Sequence, residues 1–138
     1  PLDSASLYVA GYGAGFGTQS HLLAWRSLVG HIRDGRQWPT ISITTETDSG
    51  SVIVTANVTS GSLITNVDLF YVQRHDQFDD LDFRDAIWRV APMDPRREGQ
   101  YVGTIVPFSD NIAVFARVSD IEGVIEGVFT SEVEILSL

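Results

Sequence analysis

Val52-Ile53-Val54-Thr55-Ala56-Asn57-Val58-Thr59 places Val52, Val54, Ala56 and Val58 on alternate positions, with Thr55, Asn57 and Thr59 between them. Successive side chains of a strand point to opposite faces, so this period of two describes a strand with one apolar face and one wet face. Asp48-Ser49-Gly50 before it and Ser60-Gly61-Ser62 after it have the composition of turns. Ile41 and Ile43 start a preceding strand on the same rhythm.

The rhythm continues toward the C-terminus. Thr65 to Gln73 is apolar on both faces, with Val67, Leu69 and Tyr71 on one and Phe70 and Val72 on the other, as a central strand would be. Ala86 to Ala91 reads as a strand around Trp88, and Pro92 to Gly99 as a loop. Gln100 to Val106 puts Tyr101, Gly103 and Ile105 on one face. Asn111 to Ser119 is a further strand, Asp120-Ile121-Glu122-Gly123 a tight turn, and a single last strand runs to Ile135. About seven strands in roughly 100 residues predict an immunoglobulin or fibronectin-III-like antiparallel β-sandwich. The chain has no cysteine, so the antibody-type Cys-Trp-Cys pattern is absent and the fibronectin branch is the closer expectation.

The first 38 residues follow a different pattern. Ser6 to Ala10 reads as a short buried strand, and Gly11-Tyr12-Gly13-Ala14-Gly15-Phe16-Gly17 as a loop. Leu22, Leu23, Trp25, Leu28, Val29 and Ile32 then recur at helical spacing. Thr18 or Ser20 suits the start of that helix, and Gly35 a left-handed stop after Asp34. Trp38-Pro39 forces an extended exit. The chain thus divides into 1–38, a strand, glycine-rich loop and amphipathic helix, and 39–138, the sandwich. A lone helix of about fifteen residues is marginal in water. Its stripe must be buried somewhere, and Leu22, Trp25, Leu28 and Val29 are the expected docking residues, on the sandwich or on a partner.

Composition narrows the chemistry. Hydrophobic residues at 43% and charged residues at 20% describe a globular chain. Eighteen acids against nine Lys and Arg give a net charge of −9, which argues against nucleic acid as a partner. No lysine occurs, so arginine carries the positive charge. No apolar run of about 18 residues is present, so no membrane span is expected. Asn57-Val58-Thr59 fits the glycosylation acceptor pattern, a frequent chance match.

Four features invite a functional reading. The glycine loop precedes a helix, but its spacing is G-x-G-x-G-x-G rather than G-x-G-x-x-G, which argues against a dinucleotide cofactor. His75-Asp76-Gln77-Phe78-Asp79-Asp80-Leu81-Asp82-Phe83-Arg84-Asp85 holds five aspartates. This stretch is first a solvated acidic loop and second a Ca²⁺ site using Asp79, Asp80 and Asp82, without the twelve-position loop pattern. His21, His31 and His75 show no ligand spacing and read as surface residues, although His21 lies where a catalytic imidazole could stand. The G-x-S-x-G serine motif is absent, so a self-contained serine hydrolase is not expected.

The order of strand, loop, helix, Trp-Pro and sandwich resembles the C-terminal end of secreted α/β-hydrolases of the PhoPQ-activated pathogenicity-related family. The matching pieces are Leu7-Tyr8-Val9, the Leu22 to Ile32 helix and Trp38-Pro39, then Asp82-Phe83-Arg84-Asp85-Ala86-Ile87-Trp88, Val114-Phe115-Ala116-Arg117-Val118-Ser119-Asp120 with Gly123, and Thr130-Ser131-Glu132-Val133. In that family a Gly-His step supplies the catalytic histidine after the last sheet strand. Here Gly11-Tyr12-Gly13 stands there and the nearest histidine is His21. The resemblance implies a secreted or periplasmic accessory region, not an enzyme by itself. It would dock on an upstream α/β-hydrolase domain or a separate chain that holds the serine nucleophile. A stand-alone fibronectin-type binding or adhesion module working through residues 74–85 is the alternative, and a subunit lending His21 to a hydrolase site is the third.

Overall fold

A computed structural model describes residues 29, 32–35, 39–76, 87–123 and 125–138, leaving the side chains of 122 and 125 undescribed. Nine strands are described: β1 (Thr40–Asp48), β2 (Ser51–Thr59), β3 (Leu63–Arg74), β4 (Arg89–Pro92), β5 (Asp94–Arg97), β6 (Gln100–Ile105), β7 (Asn111–Glu122), β8 (Ile125–Thr130) and β9 (Glu134–Ser137). One sheet has the order β1-β2-β6-β5, the other β4-β3-β7-β8, with β9 also on β7. Every pairing is antiparallel.

This is the immunoglobulin arrangement of four strands facing three, with additions. β4 is an extra strand beside β3, and the last strand of the pattern is split into β8 and β9. Against the seven strands expected from the sequence, which already counted the strand at β4, the two additions are β5 and the split of the last strand.

The core forms as the period of two requires. Val52, Val54, Ala56 and Val58 are all buried, and they meet Val67 and Leu69 of β3 and Ile112, Val114, Ala116 and Val118 of β7 in one cluster. Asp48 pairs with Ser51 across a two-residue hairpin in which Ser49 has φ 50° and Gly50 φ 80°, the mirror-image turn that suits strand twist. β6 crosses β3 at close range. A Cβ on Gly103 would lie 2.9 Å from Leu69 Cδ2 and 3.5 Å from Met93 Cγ. Met93 is the buried link between β4 in one sheet and β5 in the other, and its N–H donates to Val67 O at 2.9 Å.

Three local expectations are corrected. The segment Pro92 to Gly99 is not one loop: Asp94–Arg97 forms β5, an edge strand whose residues are all exposed. Proline is tolerated at a sheet edge, so Pro95 did not exclude a strand there. Asp120, Ile121 and Glu122 belong to β7, and the turn begins only at Gly123. The last strand breaks at Ser131-Glu132-Val133. There Ser131 N–H donates to Ala116 O at 2.9 Å, and Ala116 N–H donates to Ser131 Oγ, also at 2.9 Å. A side-chain hydroxyl thus replaces a backbone carbonyl in the ladder, and β7 pairs with β8 on one side of it and β9 on the other.

Of the expected helix, Val29 and Ile32 to Asp34 are helical, and Gly35 follows at φ 62°, as its stop requires. Leu22, Leu23, Trp25 and Leu28 lie outside the described residues.

Two stability predictions follow from the packing. Ser131→Ala strands the buried Ala116 N–H and is expected to cost about 1–3 kcal/mol in urea unfolding. Gly103→Val drives a branched side chain into Leu69 and is expected to cost about 1–3 kcal/mol, read from the same midpoint shift.

Candidate functional site

At one end of the sandwich the β2–β3 turn and the β5–β6 hairpin face each other across an open cleft of about 670 Å³. Thr59, Ser62, Leu63, Arg96, Arg97 and Tyr101 are among the residues lining it. The volume falls within the roughly 300–1,000 Å³ of ordinary ligand sites.

Backbone bonds hold both walls. Val58 N–H donates to Gly99 O at 2.7 Å, tying the hairpin to the end of β2. Gly99 has φ 71°, and a Cβ there would lie 2.7 Å from Val58 O, so both conformation and space demand glycine. On the opposite wall Ser62 N–H donates to Ser60 Oγ at 3.1 Å, a serine turn that fixes the loop. β5 pairs with β6 through a register shift between Pro95 and Arg97.

The charge of the cleft runs against that of the chain. Two arginines and one acid, Glu98, line it, whereas the chain has nine Lys and Arg against eighteen acids. Arg96 and Arg97 are both exposed, and neither makes a side-chain hydrogen bond or ion pair among the described residues.

A second polar cluster is structural. On the outer face of β3 and β7, Asp68 pairs across the strands with Arg117, whose Nη2 is 3.1 Å from Asp68 Oδ2. Asn66 Nδ2 donates to the same oxygen at 2.7 Å. Arg117 lies 4.6 Å over the Phe70 ring, and Phe70 stacks on Phe115 with centroids 4.9 Å apart. Trp88 meets Phe115 edge-on at 4.9 Å, just ahead of β4 rather than within a strand. These groups are engaged with one another.

The residues singled out from the sequence fare as follows. His21, His31, Asp79, Asp80 and Asp82 lie outside the described residues. Val29 is 54% exposed. His75 is exposed beyond the end of β3, and its carbonyl accepts from Asn111 Nδ2 at 3.1 Å. Asn57 is exposed on β2, with its Oδ1 accepting from Gln100 Nε2 at 3.3 Å. Among the described residues no group of three or more His, Cys, Asp or Glu could hold a metal ion. No described helix is long and apolar enough to cross a membrane.

No family model matches the chain. A comparison with curated proteins also gives no match. Among solved structures, the crystal structure of a bromine derivative of BhCBM56 matches with a TM-score of 0.47 and 13% identity, over 74% of this chain and 96% of that one. A likeness at this level carries no argument about ligand or activity, and the fold stands on the sheets described above.

Sequence reasoning did not find the cleft. Its residues lie in two segments, 58–64 and 95–101, that only the β2:β6 register brings together. The available signal was Arg96-Arg97, adjacent cations in an acidic, lysine-free chain. Gly99→Ala is expected to lower stability by about 1–3 kcal/mol through strain at a left-handed position, measured by denaturant unfolding. It should also perturb the amide signals of Val58 and Thr59 before any others.

Proposed function

We propose that this chain is a binding module, a β-sandwich that takes a ligand in its end cleft and contributes no catalytic nucleophile. The observation that carries this reading is the cleft itself: a ligand-sized opening with two unengaged arginines, walled by backbone-fixed turns. Binding residues on loops held by a rigid scaffold are a recurrent arrangement in sandwich folds. The acidic stretch 74–85, first considered for binding, is described only to Asp76 and lends no support to either reading.

A second reading keeps the expected docking role beside an α/β-hydrolase. Its support is that Val29 and Ile32, two members of the helix stripe, are 54% and 57% exposed. The mass of the natural gene product and a pull-down from the native source test it: a hydrolase domain ahead of Pro1 or a co-purifying hydrolase chain is expected, and finding neither removes the idea.

The cleft is tested by titrating the isotope-labelled chain with panels of neutral sugars, acidic sugars and acidic peptides. Amide shifts are expected at 59–64 and 96–101. Shifts confined to the opposite end of the sandwich, or none with any panel, would defeat the cleft reading.

A further inference from the structure

We infer that the end cleft takes a sugar ligand bearing carboxylates, gripped by Arg96 and Arg97; this rests on the cleft being the binding site. The charge balance is the first support. The lining carries two arginines to one acid in a chain whose overall ratio is nine to eighteen, so an anion meets a locally cationic lining there. The residue type is the second. Arginine presents a planar fork of donors that matches a carboxylate with two parallel hydrogen bonds. Arg117 shows the contrast within the same molecule: it is committed to Asp68 and to the Phe70 ring. Arg96 and Arg97 have no such commitment among the described residues.

Adjacent arginines on an edge strand have a bland explanation, since charge there discourages sheet-to-sheet aggregation. At β5, Pro95 and Asp94 already supply that protection. Protection also leaves unexplained why both arginines line the cleft, opposite the serine turn.

The same edge argues for a sugar over a peptide. A peptide that adds to a sheet needs a regular row of backbone donors and acceptors. β5 has four residues, one of them proline, with a register shift between Pro95 and Arg97. Pro95 instead offers a ring surface beside the partly buried Tyr101, and Thr59 and Ser60 offer hydroxyls, the mixture that suits a ring with an apolar face and a hydroxylated rim.

Calorimetry on the full chain tests this with three probes of four units each: tetragalacturonate, a neutral glucan tetrasaccharide and tetraglutamate. Tetragalacturonate is expected to bind about tenfold or more tighter than the neutral sugar. R96A/R97A should abolish that preference with the thermal midpoint unchanged, because both side chains are exposed. R96K/R97K should restore part of it, since charge returns without the fork. Equal binding of acidic and neutral sugars at the cleft overturns the carboxylate inference and leaves the binding module standing. Tighter binding of tetraglutamate overturns the sugar assignment, and binding of none of the three overturns the inference. Absence of cleft amide shifts with every ligand panel is the separate result that removes the module reading itself.

Discussion

The close packing of the two sheets at Gly103 of β6 against Leu69 of β3 sets the geometry of the rest. With a Cβ position only 2.9 Å from Leu69 Cδ2, the sheets meet where β6 has no side chain to interpose. Leu69 fills the space that glycine leaves, and Met93 packs beside it as the chain passes from one sheet to the other. That crossing places β5 on the outside of β6 and turns the Glu98-Gly99 hairpin back toward the end of β2. The cleft follows from this path: its one wall is the return from the crossing, and its other is the turn that starts β3.

The five-stranded sheet is held from both faces. Ile112, Val114, Ala116 and Val118 of β7 face the core, while Phe115 and Arg117 face outward and are met by Phe70 and Asp68 in direct register. Phe115 is completely buried although it is on the outer face. Double coverage explains why β3 and β7 read as apolar in both alternations. It also explains Arg117, whose Nε is buried without a hydrogen-bond partner among the described residues while its guanidinium lies over Phe70. Two of the segments that carry the family resemblance lie in this construction. Val114 to Asp120 is the middle of β7, and Ser131 is the residue that splits its neighbour. Both are parts of the sheet architecture.

Most of the sandwich was legible because burial of one face imposes the period of two. β1, β2, β3, β6 and most of β7 announce themselves through residues such as Val54 and Leu69, which fail if moved one position. β5 was not legible because an edge strand needs no apolar face: Asp94-Pro95-Arg96-Arg97 has the composition of a loop and its strand character comes from β6 alone. The break between β8 and β9 was not legible because it depends on one hydroxyl meeting Ala116, a contact made between residues fifteen apart. The cleft was hidden for the same reason at longer range. The conspicuous local features, the glycine run and the aspartate cluster beyond Asp76, lie outside the described residues.

The arginines show how position decides the role of a residue type in this chain. Arg117 is in the centre of a long strand, opposite a buried carboxylate and over an aromatic ring, so its charge is neutralised by the fold. Arg96 and Arg97 are on a four-residue edge strand whose conformation is fixed from behind, by β6 and by the bond between Val58 and Gly99. Their backbone is therefore positioned while their side chains are uncommitted among the described residues. A site needs both properties, since a fixed platform limits the entropy lost on binding and free donors supply the contact. The fold provides that combination where a strand is short and exposed but its hairpin is clamped, which is the geometry of the cleft.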